Sequence, residues 1–236
     1  MVKQVARSCQ AVERLIENMK DAERLIEIHE NITGDRPGRR WGMAVLNHSG
    51  VVLITAFWEA FIEDLAEEAF DFLLTQANGP NAVPKKVRAL STKPLIKENG
   101  DTAAVWSLAG DGWRSVLKDH RGELMKRYVG SFNTPKPDSI DALFEGLIGL
   151  RRLSACWKWQ GQSVDQARNN LIRHINDRGA IAHRGRTEDP IVKDYVLRYR
   201  DFVFKLAVKS TNQVAAHLRT VTGKRPWLSY QVGSVS

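Results

Sequence analysis

Hydrophobic residues recur at three- and four-residue steps through most of the 236-residue chain, the spacing of one face of an α-helix. Val5, Cys9, Val12, Leu15, Ile16, Met19, Ala22, Leu25 and Ile26 form the first such stripe and predict a long N-terminal helix, with Gly34 placed to cap it. The segment GDRPGRRWG, 34–42, then reads as a turn-rich loop. A second stripe, Ile54, Phe57, Trp58, Phe61, Leu65, Ala69, Phe72 and Leu73, is wide and aromatic, as a central core helix requires. Asn47 or Ser49 is placed to cap its start, NGP at 78–80 ends it, and Glu63, Asp64, Glu67, Glu68 and Asp71 fall largely on the opposite side.

The pattern weakens over 81–100, where Pro84 and Pro94 limit any helix. Two helices broken near Gly110-Asp111-Gly112 follow, then an extended entry through Pro135 and Pro137 into a short helix, capped by Asp138 or Ser139 and reaching about Leu150. Ser163 with Gln166 three residues on makes a capping box for a helix over about 164–184 that stops at Gly185. Thr187 or Asp189, with Pro190 in the first turn, starts a last long helix to about Thr222. No alternating strand pattern, internal repeat or low-complexity block interrupts this order. The prediction is an all-α bundle of about seven helices, one domain over 1–222, with 223–236 as a tail that is either mobile or docked by Trp227.

The two cysteines, Cys9 and Cys156, have neither disulfide-framework nor metal-ligand spacing. The N-terminus lacks an apolar secretory core, and no run reaches the roughly 18 apolar residues that a membrane span needs. A cytoplasmic protein with no membrane partner is expected. The formal net charge of +8 is concentrated late: between Ser163 and Arg225 there are thirteen lysines and arginines against six carboxylates. Such a basic half attracts polyanions, nucleic acid among them.

The chemistry concentrates in NDRGAIAHRGR, 176–186. At about 100° per residue, Asn169, Asn176 and His183 share one polar face, with Leu171, Ile175 and Ala182 on a buried stripe. Arg178 falls about 140° from His183, so one regular helix does not aim both at one phosphate. Either the helix loosens towards Gly185, or a second copy related by a two-fold axis brings the missing partner. Gly179, Ala180 and Ala182 would let two backbones approach closely. Histidine titrates near neutrality and serves as general base or acid; arginine's planar fork holds phosphate oxygens as charge builds on them.

Arg178-Gly-Ala-Ile-Ala-His183 resembles the R-x4-H signature of the HEPN superfamily of all-α domains. SGVVLITAFWEAFIEDLAEEA, FNTPKPDSIDALFEGLIGL and NDRGAIAHRG resemble, in that order, three segments of its RiboL-PSP-HEPN family. The resemblance implies a metal-independent endoribonuclease of toxin or defence type, acting as a homodimer with a composite site. On it, Arg178 and His183 are the catalytic pair; by their place on and after the helix, Arg173, Asn176, Arg184 and Arg186 are candidate RNA contacts, Arg184 and Arg186 reading equally as solvated cations at a helix C-terminus. The implied partners are RNA, a second copy and an antitoxin or regulatory protein; no cofactor and no metal are expected. Active members often carry a polar residue after the arginine, where this chain has Gly179. The alternative is an inactive HEPN module that binds RNA, a nucleotide or a protein.

Other residues read more simply. Glu63 and Glu67 have no histidine in register and read as a solvated face. Trp157 and Trp159, flanking Lys158, form either a packed connector or a base-stacking pair. Cys156 reads as a small buried hydrophobe. His29, His48, His120, His174 and His217 form no ligand constellation, and the chain has no P-loop, GxGxxG or HExxH.

Overall fold

The computed structural model describes residues 8–33, 44–97 and 102–231. Among them are eight α-helices and no strand: α1 (Gln10–Thr33), α2 (Ala44–Gln76), α3 (Lys85–Lys97), α4 (Gly112–Asp119), α5 (Arg121–Tyr128), α6 (Pro137–Ile148), α7 (Val164–Arg184) and α8 (Lys193–Thr222). Short 3-10 turns lie at Pro80–Ala82, Thr102–Leu108 and Leu153–Cys156. The chain is all-α, as the periodicity predicts. The expected cap at Gly34 and loop over 34–42 lie outside the described residues.

α2 is the pillar. Its buried side chains include Ile54, Trp58, Phe61, Leu65, Phe70 and Leu73, so it meets neighbours on almost every side. It is also, among the described residues, the one helix long and apolar enough by length and composition to cross a membrane. That corrects the expectation that no run reaches such proportions: the wide apolar stripe of a core helix passes the same test of length and composition as a span. At its centre the fully buried Trp58 donates its indole N–H to the Pro135 carbonyl (3.3 Å) and meets Trp157 edge-on (6.1 Å between centroids). Trp157 is itself fully buried and donates to the Ser210 hydroxyl (2.9 Å). Its place is in the core, which leaves it no base to stack. Trp159 is half-buried, tilted against Phe202.

The acids of α2 do more than face solvent. Arg14 pairs with Asp64 (2.7 Å), and Glu68 accepts the Ala11 N–H (3.2 Å) and the Cys9 thiol (3.3 Å). Since 9–14 lie beside 64–68, α1 runs antiparallel to α2. Arg121 of α5 grips Asp71 through Nε (2.6 Å) and Glu67 through Nη2 (3.0 Å). The expected solvated face is therefore the seam that ties α1 and α5 to the pillar. Exposed ion pairs stabilise little, but pairs that share carboxylates across elements fix register.

Three helix starts differ from the pattern; the expected break near Gly110-Asp111-Gly112 separates the Thr102–Leu108 turn from α4, and a second break follows it. α2 begins at Ala44, so Asn47 is inside it and its amide donates instead to the Ile191 carbonyl (2.9 Å). α6 begins at Pro137, so Asp138 and Ser139 lie in its first turn. α8 begins at Lys193 after an extended approach that buries Ile191, so neither Thr187 nor Asp189 caps it. The break between α4 and α5 falls at His120, whose backbone N–H and ring Nδ1 both contact the Val116 carbonyl. α3 forms despite Pro94, which sits one turn from its end, where the disruption is small.

The ends of α7 follow the sequence closely. Ser163 Oγ accepts the Gln166 N–H (3.2 Å), Gln166 Oε1 accepts the Ser163 N–H (2.9 Å), and Gly185 stops the helix with φ of 69°. Beyond α8 the chain docks: Trp227 is buried and donates to the Thr211 carbonyl (3.3 Å), and the Tyr230 hydroxyl accepts the Cys9 N–H (2.8 Å).

Two substitutions test these assignments by urea unfolding. Trp58→Ala should cost about 3–5 kcal/mol, a cavity where the two tryptophans meet. Ser163→Ala should cost about 0.5–2 kcal/mol through the lost cap alone. Equal, negligible losses would contradict both.

Candidate functional site at the end of α7

α7 is held along its first four turns and released in its last. Near its start, Arg168 bonds Asp138, the Ser154 hydroxyl and Asp141 (3.1 Å to Asp141), while Asp141 also accepts the Ser154 N–H (2.7 Å). Ala167, Leu171, His174 and Ile175 are buried. Asp177 accepts the Tyr195 hydroxyl of α8. Beyond this, Ala182, His183 and Arg184 are all exposed.

This anchoring sets the angular position of Arg178. The buried face of α7 centres about 220° from His183, and Arg178 falls on that centre. It is half-buried, and its charge acts on Glu59 of α2 and Tyr199 of α8. It makes no side-chain hydrogen bond or ion pair with another described residue. Its electrostatic counterpart is Glu59 of α2: burial pushes the Glu59 carboxyl above the ordinary range, and the nearby guanidinium works against that shift. The stripe expected through Leu171, Ile175 and Ala182 is corrected. Arg178 continues the buried face, His183 stands opposite, and Ala182, expected on the buried stripe, is exposed. Buried His174 lies about 80° from Ala182, on the side of the face that Arg178 continues.

The helix stays regular through Arg184, so loosening towards Gly185 does not swing His183 round. His183 shares its exposed face with Asn169, Asn176 and Arg173, and the exposed Arg184 and Arg186 follow. All the sequence-selected candidates except Arg178 are thus solvent-facing. Within this face Gly179 is open: a Cβ built there meets nothing within 4 Å. Nothing inside the protomer demands glycine, although glycine costs a helix interior about 1 kcal/mol relative to alanine.

Sequence reasoning passed over the layer beneath. His174, one turn before Arg178 on the same face, stacks flat on Tyr199 (3.9 Å between centroids) and lies edge-on to Tyr195 (4.9 Å). Burial, reinforced by the Arg173 charge, lowers its pKa to about 3. Its Nδ1 has no hydrogen-bond partner among the described residues. Tyr199 is buried with its hydroxyl 3.0 Å from the Thr55 hydroxyl, which in turn donates to the Val51 carbonyl. Burial, with the Asp177 carboxylate second, raises the Tyr195 phenol. His174 is therefore a neutral packing ring, and His183 is the imidazole of this helix that reaches solvent. The spacing of His174 to Arg178, i to i+4, was visible in the sequence; its depth was not.

The thiols offer no rival nucleophile. Burial raises Cys156 to about 12 and Cys9 further, with Glu68 adding to the rise at Cys9. Among the described residues no three histidine, cysteine or carboxylate side chains gather as a metal-ligand group.

The buried His174 carries a pH signature. Its folded pKa of about 3 lies below an unfolded value of about 6.5. The unfolded chain therefore takes up this proton first, so the stability is complete above about pH 6.5 and is lost as pH falls towards 3, at up to about 1.4 kcal/mol per pH unit. His174→Phe, which keeps the stacked ring, should flatten that slope in denaturant titrations between pH 4 and 7. A parallel slope in the variant would mean that other groups carry it.

Comparison with known proteins now adds to the geometry. No curated protein and no solved structure matches the chain significantly. The sequence profile of one family, RiboL-PSP-HEPN, matches residues 13–216, from the first turn of α1 to near the end of α8. An all-α fold and a match over most of its length place the chain in the RiboL-PSP-HEPN family.

Proposed function

We propose that this protein is a metal-independent endoribonuclease whose active unit is a dimer, with Arg178 and His183 of two α7 helices sharing one cleft. The observation that carries the reading is the disposition of the pair on a straight helix. His183 is exposed on a face with an open glycine and small residues, and Arg178 lies about 140° away beside Glu59. A second α7 packed across Gly179 and Ala180 would bring a second histidine to the first and leave both arginines at the margins of the same groove. Exposed Val45 and Val192, beside the Asn47–Ile191 contact, add apolar surface at this end of the molecule.

The chemistry needs only these groups. One neutral imidazole takes the proton of a ribose 2′-hydroxyl, and that oxygen bonds the adjacent phosphorus. The bond from phosphorus to the 5′-oxygen breaks, and the second imidazole, protonated, delivers a proton to the leaving oxygen. The arginines hold the non-bridging oxygens while their charge rises. Products are a 2′,3′-cyclic phosphate and a 5′-hydroxyl. Arg173, Asn176, Arg184 and Arg186 line the route of the RNA backbone on either side. A toxin or defence role, restrained by an antitoxin or regulatory protein, fits an enzyme that cuts without a cofactor.

Gly179 favours a second reading, an inactive HEPN module that binds RNA, a nucleotide or a protein, since active relatives often have a polar side chain there. Incubation of the purified protein with labelled RNA in EDTA separates the two. Cleavage should leave cyclic-phosphate ends and fall at least a hundredfold in His183→Ala and in Arg178→Ala. If the unsubstituted protein cuts RNA no faster than His183→Ala and Arg178→Ala do, the binding module stands instead. Gly179→Ala adds an independent check. It should stabilise the protomer by about 0.5–1 kcal/mol yet weaken self-association in sedimentation. A variant with unchanged self-association would place the interface elsewhere.

A further inference from the structure

Of the six tryptophans among the described residues, five are buried or half-buried. Trp106 is 79% exposed, and its neighbour Val105 is 45% exposed. Both sit on the 3-10 turn Thr102–Leu108, which is itself well held. Ala109 N–H bonds the Trp106 carbonyl (3.0 Å), Ser107 Oγ donates to the Ala104 carbonyl (2.7 Å), and Gly112 lies so close to the Ser107 carbonyl that a Cβ would come within 1.8 Å. An indole displayed on a fixed turn is a platform.

The turn packs against α3 and α4. From Phe72 to Lys97 the chain has no carboxylate, and α3 itself is KKVRALSTKPLIK. Val87 and Ser91 turn inward, while Lys85, Lys86, Ala89 and Lys93 are exposed. Those three lysines lie within an arc of about 100°. Arg88 is engaged with Asn81 (3.0 Å). Of the carboxylates on α4, α5 and the turn before them, Asp111 is held by Arg114 (3.2 Å), and Asp119 and Glu123 are exposed. None of the three α3 lysines forms an ion pair with a described residue.

We infer that the lysine face of α3 and the indole of Trp106 form a docking surface for single-stranded RNA, apart from the α7 site. The lysines meet backbone phosphates, and the indole stacks on a base, the combination that holds single strands without reading sequence. The surface lies at the C-terminal end of α2, where Arg114 Nη1 donates to the Leu74 carbonyl (2.6 Å). Glu59 beside Arg178 is 15 residues back from Leu74 along the same helix, about 22 Å at about 1.5 Å per residue. A long RNA engages both places; a very short one reaches the α7 site alone. The inference rests on the reading of RNA as the ligand.

The test uses full-length His183→Ala protein, which holds RNA uncut, and a fluorescein-labelled 20-nucleotide single-stranded RNA read by anisotropy across a salt series. Replacing Lys85, Lys86 and Lys93 together with glutamine should weaken binding at least tenfold at low salt and reduce the slope of log K against log salt by about 2, three phosphates at about 0.7 each. Trp106→Ala should weaken binding about 5- to 100-fold, and Trp106→Phe should restore most of it, because stacking needs a ring. Unchanged affinity and slope in the lysine and Trp106→Ala variants would overturn the surface, as would a His183→Ala parent that binds no RNA. So would unchanged RNA binding with altered self-association in Trp106→Ala, which would make the patch a protein contact. Cleavage of a tetranucleotide by protein with His183 intact reports on the α7 site alone, so either idea can fail without the other.

Discussion

An α-helix turns by about 100° for each residue, and that rotation governs the whole candidate site. His183 lies five positions after Arg178, too many for one face and too few for a full further turn back to it. The first half of α7 is committed to the core by Leu171, His174 and Ile175, and this commitment fixes which way the remaining turns point. Arg178 inherits the buried direction and His183 the solvent direction. No adjustment of side chains in a straight helix reverses that assignment. The proposed cleft between two copies therefore rests on rotation and anchoring more than on any special contact.

The anchors explain why the end of α7 can be exposed and still ordered in direction. Arg168 grips two carboxylates and a hydroxyl near the helix start. The His174–Tyr199 stack fixes its middle against α8, and Asp177 with Tyr195 closes the last buried turn. Buried polar groups of this kind are costly unless paired, which makes the arrangement specific. The unpartnered His174 Nδ1 is the exception; the stacking contacts of the neutral ring offset that penalty. Glu59 completes the setting by placing a partly buried carboxylate near Arg178, a charge balance across α2 and α7 that neither helix has alone.

Much of this was legible in the residues. The α7 boundaries were written in Ser163, Gln166 and Gly185, local signals that need no tertiary context. The pillar α2 was visible in its aromatic stripe, though its start was not, because Asn47 had a partner in the loop before α8 that no local pattern announces. α3 was obscured by Pro94, which a helix tolerates near its end. The inward turn of Arg178 was hidden because the stripe was drawn through Ala182, a small residue that fits a buried or an exposed position equally well. The deeper layer of His174, Tyr195, Tyr199 and Glu59 draws on three helices, and periodicity reports on one helix at a time. The acids of α2 looked solvated for the same reason: Arg14 and Arg121, their partners, lie 50 residues away in either direction.

The contact between the Tyr230 hydroxyl and the Cys9 amide closes a loop across 221 positions. A chain emerging from the ribosome makes α1 long before it can receive this clasp. The aromatic bed under α7, from Tyr195 to Phe202, is likewise supplied by residues translated after the motif itself. A nascent chain carrying Arg178 and His183 thus lacks the support that orients them until α8 follows. Translation order alone postpones assembly of the exposed face until α8 has emerged.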